Sequence, residues 1–225
     1  MAAAERNTCF VTVVSWNTLL LLPLLANENV GDCSRRAREM AQVLIDTGAD
    51  VVGLQECWGA GAAEMEGVLS EQFFVPSPFR AWKKLGFAGD IVNSLYFWGR
   101  GTGGLLIASR YQTAYTLNVW QQQWRESKTT SRKGIAASLI QMGSFGPDDK
   151  PPSRCDHTVF LFATLHLDPV ANVFKECKEQ RSQLEQALEF LHHIVGSEPR
   201  IQAVVLCGDF NLASTMDGMH DLFHR

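Results

Sequence analysis

The sequence has no excess of basic charge, no Cys-x-x-Cys pair, no Asn-x-Ser/Thr sequon and no long unbroken apolar run. Each absence removes a class of function. With 20 Lys and Arg against 24 Asp and Glu, the net charge is −4, so a general electrostatic grip on nucleic acid is not available, although a local basic patch is. The cysteines, Cys9, Cys33, Cys57, Cys155, Cys177 and Cys207, are scattered and lack close His partners, which argues against structural zinc. A chain of 225 residues can build a core without disulfides. Together with the missing sequon, this favours an intracellular chain, cytoplasmic or peripheral to a membrane, over a secreted one. The apolar stretch from Cys9 to Ala26 is interrupted by Ser15, Asn17, Thr18 and Pro23 and falls short of the roughly 18 clean apolar residues of a membrane span. Glu5 spoils the basic start of a secretory signal, so Phe10 to Trp16 reads as a first buried strand. No H-E-x-x-H, Walker or G-x-S-x-G sequence is present.

What is there suits one mixed α/β domain. Hydrophobic residues make up 46% and charged ones 20%, enough apolar material for a core and too little charge for disorder. Ala37, Met40, Ala41, Leu44 and Ile45 follow helical spacing, with Asp32 or Ser34 as cap and Gly48 as stop. Val51 to Gln55 is a short apolar strand, which completes a β-α-β unit with parallel strands. Ala62 to Phe73 reads as a weaker helix, halted by Pro76 and Pro78. From Leu105 the texture changes to strand-like runs, Leu105 to Ser109, Thr113 to Trp120 and Gly134 to Met142, which implies an antiparallel portion. Gly143 to His157 is a surface loop, Thr158 to Thr164 a strand, Asn172 to Val195 the longest helix and Ile201 to Cys207 a last buried strand. Between Leu19 and Gly31 the chain reads as a loop.

Polar residues at the ends of buried strands carry the chemical information, because ligands of α/β proteins gather outside strand ends while strand bodies are committed to packing. Four ends stand out: Asn17, Glu56, His166 and the pair Asp209 and Asn211. In extended chain, Asp209 and Asn211 point to one side and Phe210 to the other. A carboxylate such as Glu56 holds Mg²⁺ through oxygen, amides donate to phosphate oxygens, and an imidazole carries charge or a proton near neutral pH. Singly, each residue has a structural alternative: a solvated carboxylate, a turn-forming Asn, or His166 with Asp168 and Pro169 as a helix entry. Four strand ends supplying the same ligand chemistry favour function.

Gly99, Gly101 and Gly104 satisfy G-x-G-x-x-G, but the run leads into a strand rather than a helix, against a dinucleotide site. Between Phe79 and Trp98 lie Phe79, Trp82, Phe87, Tyr96, Phe97 and Trp98, which suit either packed core or a loop touching a lipid surface. Arg125, Lys128, Arg132 and Lys133, near Trp120 and Trp124, suit a solvated loop or an anionic headgroup.

Ser15-Trp16-Asn17, Val52-Gly53-Leu54-Gln55-Glu56, Gly104-Leu105-Leu106-Ile107-Ala108-Ser109-Arg110, Thr164-Leu165-His166-Leu167 and Gly208-Asp209-Phe210-Asn211 resemble, in order and spacing, the motifs of the endonuclease/exonuclease/phosphatase superfamily. Leu22-Pro23, the glycines before Leu105 and Lys133-Gly134 are most similar to its neutral sphingomyelinase branch. The resemblance implies a four-layer α/β/β/α sandwich over residues 8–225 and Mg²⁺-dependent hydrolysis of a phosphate ester. It makes Glu56 a metal ligand supported by Asn17, places His166 on the phosphate or leaving group, has Asp209 orient water, and has Asn211 hold a phosphate oxygen. Lys133 becomes a substrate-binding residue, and the aromatic segment with net −4 favours a sphingomyelin-type lipid headgroup over nucleic acid. Relatives also carry a later Asp-His pair whose His takes a proton from water. Here residues 212–225 follow Asn211, and His220-Asp221 stands in the reverse order, so the expected domain lacks its C-terminal strands. Losing a general base alone costs about 10²–10⁴-fold in rate. A phosphodiesterase therefore competes with a nuclease or phosphoinositide phosphatase of the same superfamily, and with an inactive module that binds metal or phosphate.

Overall fold

The computed structural model describes residues 10–20, 33–75, 103–111, 119–125, 133–142, 158–169 and 178–211. Several expectations fall outside them: the Asp32 cap, the aromatic segment Phe79 to Trp98, the loop Gly143 to His157, Lys128, Arg132 and His220-Asp221.

Two sheets form. The first holds β1 (Val13–Leu20), β2 (Val51–Cys57) and β3 (Leu106–Ser109) in that order. β1 and β2 are parallel, joined through helix α1 (Cys33–Asp46), and β3 returns antiparallel. The second sheet holds β4 (Val119–Gln123), β5 (Gly134–Gln141), β6 (Val159–His166) and β7 (Ile201–Asp209). Its β4-β5-β6 portion is antiparallel, and β6 pairs β7 in parallel across helix α3 (Lys178–Ser197). Helix α2 (Gly59–Leu69) follows β2.

Period-two alternation sorts the core into three layers of contact. Val52 and Leu54 of β2 face α1 and α2, meeting Ala37, Ala41, Leu44 and Met65. On the second sheet, Ile135, Ala137 and Leu139 of β5 and Leu161, Ala163 and Leu165 of β6 face Leu184, Ala187 and Leu191 of α3. The alternate residues, Val51, Ile107, Ala136, Ile140, Phe160 and Phe162, pack sheet against sheet. Helix, sheet, sheet, helix is thus the layer order, the α/β/β/α sandwich expected from the motifs. No described helix is long and apolar enough to cross a membrane.

Boundaries differ in ways that matter for the site. β1 runs to Leu20, so Asn17 lies within the strand rather than after it. Its pairing with β2 slips between Asn17 and Leu20, and Leu19 takes a left-handed φ of 47°. Such a bulge is hard to read from side-chain pattern because it costs only one extra residue. α1 begins at Cys33, which puts Ser34 inside the helix rather than at its cap, and α2 stops at Leu69, four residues before Phe73. β4 is described from Val119 and reaches Gln123, beyond Trp120.

Gly208 has φ 138°, a conformation L side chains rarely adopt, and a Cβ there would collide with the Leu165 backbone of β6. Replacing Gly208 with Ala is expected to lower unfolding free energy by at least about 2 kcal/mol in denaturant titration.

Candidate functional site

The inter-sheet face is apolar through its body and turns polar at one end. On β1 it reads Val13, Ser15, Asn17; on β6, Phe160, Phe162, Thr164, His166; on β7, Val205, Cys207, Asp209. The site sits where these rows end. Asn17 Nδ2 donates to Asp209 Oδ2 at 2.8 Å, so a residue of the first sheet is tied directly to one of the second.

Glu56 reaches the same place by a different route. Val52 and Leu54 point toward the helices, and simple alternation would send Glu56 after them. Instead Glu56 has φ 54°, in the left-handed region that a non-glycine residue enters at a cost of about 1 kcal/mol or more. The turn aims its carboxylate across the sandwich, with Oε1 3.6 Å from His166 Nε2. Its Oε2 is buried without a hydrogen-bond partner.

His166 is the buried centre, its side chain 0% exposed. Asp209 Oδ2 lies 3.5 Å from its Nε2, and Lys133 Nζ lies 2.5 Å from the same nitrogen. An ammonium has no acceptor, so with Lys133 protonated Nε2 accepts and the ring proton sits on Nδ1. Burial, then repulsion from the Lys133 cation, drives the imidazole well below its ordinary pKa, against the opposing pull of Asp209 and Asp168. Burial likewise lowers the Lys133 pKa, opposed by Glu56, Asp168 and Asp209. Lys133, read either as part of a solvated basic loop or as a substrate-binding residue, is 7% exposed. The next residue, Gly134, lies so close to β4 that a Cβ there would strike the Gln122 carbonyl.

The segment after β6 is held from several directions. Trp124 Nε1 donates to the His166 carbonyl at 2.8 Å, and Leu167 N to the Asp209 carbonyl at 2.9 Å. The Leu167 carbonyl accepts from Asn211 Nδ2 at 2.8 Å and Lys133 Nζ at 3.4 Å. Asn211 has φ 47° and donates its N–H to Asp209 Oδ1 at 2.9 Å, an Asx turn of the kind asparagine tolerates. Asp168, buried, is gripped by Gln183, whose Oε1 accepts from its N–H at 2.9 Å and whose Nε2 donates to its Oδ2 at 3.0 Å. Gln180 Nε2 donates to its carbonyl at 2.9 Å.

Asn17, Glu56, His166, Asp209, Asn211 and Lys133 therefore converge. Sequence reasoning missed Trp124, Asp168, Gln180 and Gln183 as their supports. The glutamines left a signal, since Gln180, Gln183 and Gln186 recur every third residue beside the apolar stripe of α3, where buried amides need partners. Trp124 left none. Burial drives the Cys57 thiol up to about 12 and raises Cys207, so neither is a thiolate nucleophile at neutral pH.

A hard cation fits Glu56 and Asn17. The unpartnered Oε2 of Glu56 wants a positive partner, and carboxylate with amide oxygen is the donor class of Mg²⁺, which keeps several waters and takes one or two carboxylates. No group of three or more His, Cys, Asp and Glu side chains among the described residues is arranged to hold a metal ion.

The sequence model of the endonuclease/exonuclease/phosphatase family matches residues 14–224. No curated protein sequence matches the chain. Among solved structures, sphingomyelinase C from Streptomyces griseocarneus superposes with a TM-score of 0.66 at 20% identity, over 96% of this chain and 70% of that one. A beta toxin variant from Staphylococcus aureus, solved with bound magnesium ions, gives 0.66 at 16% identity, over 94% and 68%. TDP2 from D. rerio, complexed with a single-strand DNA product, gives 0.53 at 17%, over 91% and 62%. At these identities the likeness is one of fold.

A depressed histidine fixes the sign of a pH effect. Below the unfolded value near 6.5, the unfolded chain binds a proton that folded His166 refuses, so stability falls as pH drops from about 6.5 toward 4. His166→Gln is expected to flatten that part of the curve, measured by denaturant unfolding at stepped pH.

Proposed function

The chain belongs to the endonuclease/exonuclease/phosphatase family, and from that premise we propose that it is a Mg²⁺-dependent phosphodiesterase whose substrate is a sphingomyelin-type phospholipid. The observation that carries this reading is the Glu56 carboxylate, turned across the sandwich by its left-handed backbone onto a neutral His166 beside Lys133 and Asp209. Strain of that kind in a strand is retained where the side chain it aims has work to do. The lipid preference draws on net −4, on the aromatic segment Phe79 to Trp98, and on the sphingomyelinase among the structural neighbours. Peripheral contact with a membrane follows from the same segment.

Glu56 would hold the metal, with Asn17 supporting it. Bound there, Mg²⁺ supplies Lewis-acid stabilisation of charge on the phosphate oxygens and the leaving group. Lys133 brings a fixed cation to the phosphate, in a buried setting where an ammonium acts strongly. His166, held at its carbonyl by Trp124, would contact the phosphate or leaving oxygen through an Nε2–H once Lys133 turns its ammonium from the ring to the phosphate and the ring proton moves to Nε2. Asp209, 26% exposed at the mouth, keeps its carboxylate oriented by Asn17 and Asn211 and accepts a hydrogen bond from the attacking water. Asn211 offers an amide for a phosphate oxygen.

The test is Mg²⁺-dependent release of phosphocholine from sphingomyelin by the 225-residue chain, beside oligonucleotide and inositol phosphate substrates. Activity on sphingomyelin is expected, with Glu56→Ala reducing it at least about 10²-fold. A folded chain without turnover on any substrate would sink the enzyme reading in favour of an inactive binding module. Turnover of oligonucleotide or inositol phosphate alone moves the substrate to a nuclease or phosphatase, and equal activity in Glu56→Ala removes Glu56 from the site.

A further inference from the structure

One level beneath the site lies a second polar layer that the proposed chemistry leaves unused. Gln55 is 1% exposed and sits in the middle of it. Its Nε2 is 2.7 Å from Thr164 Oγ1 on β6, 3.1 Å from the Gly53 carbonyl on β2 and 3.2 Å from Ser15 Oγ on β1. Its own carbonyl accepts from Thr18 Oγ1 at 2.9 Å, next to the β1 bulge. Cys207 of β7, in the same layer, donates from Sγ to the Ala163 carbonyl of β6 at 3.5 Å.

The positions are not arbitrary. Ser15 stands two residues before Asn17, Thr164 two before His166, Cys207 two before Asp209, and Gln55 one before Glu56. With side chains repeating every second residue, Ser15, Thr164 and Cys207 each lie about 7 Å below a site residue on the same face of the same strand, while Gln55 adjoins Glu56 directly. A single amide thus touches every strand that presents Asn17, Glu56 or His166, and it does so across the gap between the sheets. Gly53 beside it lies close to the other sheet, and a Cβ there would meet Phe162 and Thr164 tightly, at 3.0 Å. An apolar side chain would fill this dry layer equally well. An amide whose two N–H groups are shared among Ser15, Gly53 and, across the gap, Thr164 instead favours one separation, since leaving it unpaired in the interior is costly.

We infer that Gln55 is a positioning residue whose amide sets the separation of the two sheets and thereby the placement of Glu56 opposite His166. The inference rests on the reading of Glu56 as a metal ligand given above, but its geometric content stands apart from it. A side chain that only packs would affect stability. One that positions would affect the cation site of a folded protein.

The experiment compares the whole chain with Gln55→Leu, Thr164→Val, Glu56→Ala and Leu139→Ala, the last a destabilising change on the α3 face of β5. Folding is followed by circular dichroism and thermal melting, Mg²⁺ affinity by titration calorimetry, and geometry by a crystal structure of Gln55→Leu. Gln55→Leu is expected to fold and to bind Mg²⁺ about 10- to 100-fold more weakly, as loss of an outer-shell partner does. Leu139→Ala melts early with wild-type affinity. Wild-type affinity in Gln55→Leu, with the 3.6 Å approach of Glu56 to His166 retained, overturns the inference. If Gln55→Leu does not fold, Thr164→Val replaces it: weaker Mg²⁺ binding supports positioning and unchanged binding overturns it. If wild type and Glu56→Ala take up Mg²⁺ alike, the metal reading fails. The crystal structure then decides alone, an opening of about 1 Å or more supporting the inference and none overturning it.

Discussion

Two sheets can share one site only where their facing strands approach closely, and Gly53 marks that approach. A Cβ at this position would press on Phe162, Thr164 and Cys207, residues of two strands in the opposite sheet. Everything chemically interesting lies a few residues further along the same rows. Asn17 reaches Asp209, Glu56 reaches His166, and Gln55 reaches Thr164 because the gap has already been closed by large apolar residues such as Phe160 and Phe162. Packing comes first and polar contact follows from it, since a hydrogen bond adds only about 1 kcal/mol net while defining direction.

The site holds its charges in tension. Lys133 and three carboxylates, Glu56, Asp168 and Asp209, surround one imidazole that burial keeps neutral. Removing a single member leaves an uncompensated charge in a poorly hydrated place, which costs more than the lost contact itself. Asp168 illustrates the structural answer. Its N–H, carbonyl and carboxylate are each bonded by glutamines of α3, so the helix that covers the second sheet also anchors the segment behind His166.

Much of this was legible in the residues. Short apolar runs at Val51 to Gln55 and Thr158 to Thr164 marked buried strands, helical spacing marked α1, and polar strand ends singled out Asn17, Glu56, His166, Asp209 and Asn211 as candidates. The change of texture after Leu105 correctly signalled antiparallel strands. What escaped was set by tertiary context. Nothing in the pattern around Glu56 announces a left-handed residue, and alternation alone puts its side chain on the wrong face. Lys133 follows basic residues that suit water, and its burial comes from contact with His166 and the Leu167 carbonyl, far along the chain. Trp124 looks like any core aromatic until its indole is seen on the His166 carbonyl.

The bond between Asn17 and Asp209 joins residues 192 positions apart, and β7 adds to the second sheet in parallel beside β6, across the whole of α3. Contacts of such sequence separation come late, because the entropy of closing a long loop must be met before the contact rewards it. In the first sheet, β1 and β2 are joined by the single crossover through α1, while β3 pairs Val51 with Ser109 from much further along the chain. Asn17 and Glu56 are thus carried on adjacent strands by one short crossover, whereas the tie from Asn17 to Asp209 has to close a far longer loop, so the entropy of chain closure is concentrated in the contact that joins the two halves of the site.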